Sequence, residues 1–265
     1  MLRKSIFLLI LVSMFLVGDF GYSEVKPIVD DSDKQLGVVH ITYKKADAAV
    51  YKVLVMKDDK KISYPFKADG VTESFPLQLG NGSYRVGLLK NVGGTKYAYV
   101  SSKTIVIDLK DPNVVYLNSV QNVNWNEENE SIVFGRELIK PTSLLRTRIK
   151  TLYDYVVKNV TYDYDKIPTL TADYVPNIDE TYTDLKGICY DYSALFAGIQ
   201  RSQGIPTRLV KGYSKFVEGY HAWNEIYING NWYIIDSTVD ATLTGAKIYV
   251  RMYKSTDDYT KVYDY

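Results

Sequence analysis

The 265-residue chain is 46% hydrophobic and 24% charged, the balance of a globular protein that can bury a sizeable core in one large or two medium domains. With 32 basic and 31 acidic residues it is nearly neutral, which argues against a nucleic-acid partner. One cysteine in the whole chain excludes an internal disulfide. It leaves three readings for the thiol: a buried small hydrophobe, an intermolecular link or a working nucleophile.

The N-terminus has the pattern of an export signal. Arg3 and Lys4 precede an apolar run from Ile6 to Val17 broken only by Ser13, and the small residues Gly21 and Ser23 sit at cleavage spacing. Residues 1–23 are therefore read as a signal peptide and the protein as secreted or cell-surface. The run is shorter than the roughly 20 residues of a membrane span, so a membrane is a partner only if the segment is retained. Removing it leaves 30 basic and 30 acidic residues. Residues 24–35 read as a polar linker; its acidic residues lack the turn chemistry of a calcium loop.

Residues 36–118 read as a small all-β sandwich. Gly37 to Tyr43, Ala49 to Met56 and Ser83 to Leu89 are β-branched or aromatic runs, and Tyr97 to Leu109 is two strands or one bent strand. Asp58-Asp59, Asp69-Gly70, Asn81-Gly82 and Gly93-Gly94 supply turns between them. The 25 tyrosines fit ordinary strand content; a carbohydrate- or peptide-facing surface on this module is the alternative. His40 has no Cys, Asp or Glu beside it in sequence and is read as structural.

The pattern changes near Asp111-Pro112. Asn126 to Leu138 is polar and helical in character. Pro141-Thr142-Ser143 signals a helix start, and Leu145, Ile149, Leu152, Tyr153, Val156 and Val157 then recur at the spacing of an amphipathic helix. Thr161 to Tyr182 reads as an irregular connection, long enough to be a functional loop.

The chemistry concentrates between residues 184 and 241. Gly187 permits a tight entry. Cys189 opens a helical segment that Gly204-Ile205-Pro206 stops. A helix N-terminus favours a thiolate and offers free N–H groups to an oxyanion. Downstream, Tyr220 to Ile228 and Asn231 to Asp236 flank Asn229-Gly230, the strongest short hairpin signal. A two-residue turn pairs Ile228 with Asn231. It places Trp223 opposite Asp236 and His221 opposite Thr238, so His221, Trp223 and Asp236 share one face. A nucleophile, a base and an orienting carboxylate are what thiol catalysis requires.

Gly187-Ile188-Cys189, His221-Ala222-Trp223-Asn224-Glu225 and Asp236-Ser237-Thr238 resemble the motif blocks of the transglutaminase-like superfamily in order and in spacing. Gly204-Ile205-Pro206-Thr207-Arg208 resembles the same core. The resemblance covers residues 125–265. It implies an α+β, papain-like fold, with the cysteine helix packed on an antiparallel sheet. It implies Cys189 as nucleophile, His221 as base and Asp236 as orienting residue. Ser237 stands where the family often has Pro. A side-chain oxyanion donor upstream of the cysteine is also implied, and Tyr174 and Tyr182 are the candidates. The implied function is that of an exported thiol enzyme acting on peptide or protein amide bonds, by acyl transfer or hydrolysis. A peptidase without transamidase activity and a catalytically silent surface-binding module are the alternatives. The expected partner is a peptide or protein substrate, including one associated with the cell wall; no cofactor and no metal is implied.

Overall fold

The computed structural model describes residues 26–139 and 144–265. The export signal and the helix start at 141–143 lie outside them. The elements run β1 (Ile28–Asp30), β2 (Val38–Thr42), β3 (Tyr51–Lys57), β4 (Lys60–Phe66), β5 (Glu73–Pro76), β6 (Gly82–Gly93) and β7 (Lys96–Ile107). Then follow α1 (Glu130–Leu138), α2 (Leu145–Asn159), β8 (Thr161–Tyr162), α3 (Ile178–Asp184), β9 (Lys186–Gly187), α4 (Cys189–Ser202) and β10 (Thr207–Ser214). The last are β11 (Val217–Ile228), β12 (Asn231–Ile235), α5 (Ser237–Gly245), β13 (Tyr253–Lys254) and β14 (Tyr259–Asp264).

The first seven strands form two antiparallel sheets, ordered β1-β2-β5 and β4-β3-β6-β7. Alternation decides which side chains go inside. Val53 and Val55 of β3 and Tyr84, Val86 and Leu88 of β6 are buried, as are Val39, Ile41 and Phe75 of the smaller sheet. The run from Tyr97 forms one strand, β7, which ends at Ile107; its register against β6 is shifted by an irregularity at Leu88/Leu89. The polar leader differs from expectation. Val29 and Asp30 pair with Ile41 and His40, so from Ile28 the chain already belongs to the sheet. His40 is structural: its ring nitrogens meet Ser74 Oγ at 2.9 Å and Asp33 Oδ2 at 2.8 Å.

The second half is mixed α and β. A five-stranded antiparallel sheet, ordered β13-β12-β11-β10-β14, is covered on one face by α4. Helix α4 is buried along almost its whole length, Tyr192, Leu195, Phe196 and Ile199 being fully enclosed. Its C-terminus is closed by Gly204 in a left-handed conformation (φ 73°). Arg201, buried in its last turn, donates to the carbonyls of Thr207 (2.9 Å), Asn118 (2.7 Å) and Tyr265 (2.6 Å). That guanidinium ties the helix to the sheet and to the segment that follows the β-sandwich. The two halves share one contiguous core: Tyr64 and Tyr265 stack edge-on at 5.7 Å, and Gln121 N–H donates to the Ser74 carbonyl at 2.8 Å. Among the described residues no helix is long and apolar enough to cross a membrane.

The connection 161–182 is more ordered than its composition suggests. Thr161 and Tyr162 pair in parallel with Lys186 and Gly187, which holds the loop base beside the start of α4. Helix α3 is capped by Asn177, whose side chain accepts from the N–H groups of Asp179 and Glu180.

Candidate active site

Cys189 is the first residue of α4 and is half-buried. Its position is fixed from beneath by Asp191, two residues on and wholly buried. One Asp191 oxygen accepts from the Ile188 N–H (2.9 Å) and from Lys166 Nζ (2.9 Å), and the other accepts from the Tyr174 hydroxyl. A carboxylate in the first turn satisfies a free N–H and suits the positive end of the helix dipole. Gly187 is required by this packing, because a Cβ there would lie 2.7 Å from Asp191 Cβ.

His221 and Asp236 come from the hairpin. Asn229 and Gly230 both have positive φ, 48° and 88°, as a type I′ turn demands. The ladder runs from Ile228↔Asn231 to Asn224↔Ile235, in the predicted register. It stops there, one pair before expectation. Asp236 is not a ladder partner of Trp223, and Thr238 does not face His221 across the sheet, since both belong to the start of α5. The physical reason is capping: Asp236 Oδ1 accepts from the Val239 N–H at 3.1 Å and starts the helix. This turn still delivers the other oxygen to His221, with Asp236 Oδ2 2.8 Å from Nε2. With Nε2 so engaged, Nδ1 is the ring nitrogen left for the thiol, and Cys189 is near enough to help raise the imidazole pKa.

The helix and the hairpin are bolted together by Asn224. Its buried Nδ2 donates to the Ser193 carbonyl of α4 (2.9 Å) and to the Arg208 carbonyl of β10 (3.1 Å). Trp223 is 1% exposed and stacks on His221 with ring centroids 6.2 Å apart, screening that side of the ring from water. Opposite His221 in the ladder stands Gly212. Burial works against the charged imidazolium, but the hydrogen bonds and charges of Asp236 and Cys189 outweigh it and push the His221 pKa up to about 10.

The two tyrosines singled out in sequence stand elsewhere. Tyr174 gives its hydroxyl to Asp191, and burial with that carboxylate pushes its pKa well up. Tyr182 packs its ring on Phe134, centroids 5.0 Å apart. The tyrosine against the thiol is Tyr162: burial and the neighbouring Cys189 push its pKa up to about 12. Only the parallel β8–β9 pairing brings it there, a contact no local pattern announces. Two further neighbours were not singled out. Tyr259 donates to Asp236 Oδ2 at 2.9 Å. Lys211 lays its ammonium 3.5 Å from the centre of the Tyr190 ring, where burial pulls its pKa down to about 8.

A cleft of about 350 Å³ opens beside His221, walled by Tyr162, Tyr164, Phe216, Val239 and Leu243. A larger hollow of about 830 Å³, between β3, β4 and residues 172–175, contains neither thiol nor imidazole. Among the described residues no three His, Cys, Asp or Glu side chains cluster as metal ligands would.

Residues 134–237 match the model of the transglutaminase-like superfamily. An uncharacterized protein of Mycobacterium leprae is 28% identical over 195 residues, covering 63% of this chain and 66% of that one. The kyphoscoliosis peptidase of Mus musculus is 28% identical over 102 residues, which is 34% of this chain and only 15% of the peptidase. Among solved structures, a candidate cysteine protease from Cytophaga hutchinsonii superposes with a TM-score of 0.47 at 14% identity, over 91% of this chain and 76% of that one.

Proposed function

We propose that the protein is an exported thiol hydrolase that cleaves peptide or protein amide bonds through a Cys189 thioester. The observation that carries this reading is the pair beside the start of α4: Asp236 Oδ2 sits 2.8 Å from His221 Nε2, and Cys189 neighbours the same imidazole. His221 takes the thiol proton, and Asp236 steadies the imidazolium. The thiolate attacks the carbonyl carbon. The developing oxyanion is met by the Tyr162 hydroxyl and the Cys189 N–H. His221 returns the proton to the leaving amine, and a thioester remains. Water activated by His221 then releases the acid and the free thiol.

Hydrolysis is preferred to transfer onto an amine because the cleft is open. Tyr164 and Phe216 at its rim are 68% and 49% exposed, and the thiol is half-buried. Amine acceptance needs a site that excludes water. Export rests on the charged, apolar and small-residue pattern of residues 1–23.

The test incubates wild type and Cys189→Ala with casein and with a glutamine peptide plus a labelled primary amine. Expected are new peptide N-termini from wild type only and no amine incorporation. Incorporation of the amine would make it a transamidase. No turnover, with Cys189 alkylated by iodoacetamide no faster than a model thiol, would make it a binding module.

A further inference from the structure

The His221 cleft is strongly one-sided in its chemistry. Tyr164, Ile167 and Phe216 form an apolar rim, each of them a large hydrophobic side chain left exposed (68%, 47% and 49%). Val239 and Leu243, on one face of α5, line it further in. Glu218 is its one acidic lining residue, and no lysine or arginine contributes. Thr238 also lines it. That residue is 5% exposed, and its hydroxyl has no hydrogen-bond partner among the described residues. A buried hydroxyl left unpaired costs on the order of 1–3 kcal/mol, so a group that pairs it on arrival is favoured.

The side of the site follows from the chemistry. His221 hands its proton to the departing amine, so the leaving half of the substrate passes His221. The cleft on that side holds the residue just after the scissile bond. We propose that this cleft is a specificity pocket for a large apolar side chain, aliphatic or aromatic, on the first residue of the leaving peptide. Thr238 Oγ1 pairs with the backbone amide of that residue. Glu218 at the rim excludes an acidic side chain. The proposal rests on the hydrolase reading for which half of the substrate lies here, but not for the pocket's preference.

A peptide library randomised at six positions is digested with the full chain, and the new N-terminal residues are read by mass spectrometry. Leu, Ile, Phe and Tyr should exceed Asp and Glu by about 10-fold or more, the discrimination an apolar pocket supplies. In Glu218→Lys, an exposed substitution, acidic residues should recover by about threefold while Leu and Phe hold steady. A flat distribution, or acidic residues in the lead, overturns the proposal while leaving the hydrolase reading intact. If nothing is cleaved, calorimetry on Cys189→Ala with amidated Leu-Ala and Asp-Ala dipeptides separates the two. Tighter binding of the Leu peptide keeps the pocket and discards the hydrolase; equal or absent binding discards the pocket.

Discussion

Tyr259 and His221 donate to the same oxygen of Asp236, at 2.9 and 2.8 Å. The carboxylate is thereby held from three sides, since its other oxygen caps α5. Tyr259 also packs on Trp223, ring centroids 5.0 Å apart, so one aromatic side chain supports both neighbours of the imidazole. In Tyr259→Phe the ring contact survives and the hydrogen bond is lost. A net hydrogen bond to a charged group is worth about 1.5 kcal/mol, so kcat should fall about 10-fold with KM little changed. Steady-state kinetics on a cleaved peptide measure this. An unaltered kcat would mean that the Val239 N–H alone orients Asp236.

The His221 proton gives a pH signature. The folded value is about 10, raised from the ordinary 6.5. A raised base contributes stability that is fully present below pH 6.5 and is lost as pH climbs through about 10. Thermal stability of the wild type should therefore decline between pH 7 and 10. In Asp236→Asn, which removes the carboxylate charge, that decline should be shallower. Calorimetry at pH 6, 8 and 10 compares them, and parallel curves would refute the assignment.

Tyr162→Phe keeps the ring in the parallel β8–β9 pairing and deletes the hydroxyl beside Cys189. Loss of one oxyanion donor lowers kcat on the order of 10²-fold. Alkylation of Cys189 by iodoacetamide, which builds no tetrahedral oxyanion, should proceed at nearly the wild-type rate. A matched loss in both assays would assign Tyr162 to thiol activation instead.

Asp191→Ala removes a wholly buried carboxylate that holds the Ile188 N–H, Lys166 and Tyr174 together. Breaking a buried pair by deleting one partner costs about 3 kcal/mol, which lowers Tm by about 6–12 °C in a chain of this size. Lys166→Met should cost less, because Asp191 keeps its two other donors. Thermal melts of the two variants give the order.

Gly212→Ala tests a close approach. An added Cβ would meet the Thr260 carbonyl oxygen at 2.1 Å and the Trp223 ring at 2.9 Å. The backbone oxygen cannot swing aside, so β10 and β14 must separate at the level of His221. The expected loss is at least about 2 kcal/mol of stability, seen by denaturant unfolding, together with reduced activity.

How much of this was readable in the chain depended on range. The hairpin register was, because Asn229-Gly230 fixes it within a few residues. The point where the strand ends was misplaced by one pair, because capping by Asp236 competes with the ladder and its outcome depends on α5. The sandwich was legible as a class, yet β1, β4 and β5 were not singled out. Their sequences, such as Lys60–Phe66, carry lysines and a proline that mask the alternation. Tyr162 and Tyr259 reach the site through pairings with β9 and β10. Those contacts are set by topology, so no motif around either tyrosine could announce them. Asp191 lay in plain sight two residues after the cysteine, and a carboxylate in the first turn of a helix was the signal to follow.

The position of β14 in the sheet sets an order of events. It lies at the edge, against β10, and closes over the helix, the hairpin and the capped carboxylate that precede it in the chain. Tyr259 and the Thr260 carbonyl thus reach Asp236 and Gly212 only after every other part of the site has been translated. Until this edge strand docks, Asp236 lacks its Tyr259 donor, and among these two contacts only the Val239 N–H holds its carboxylate.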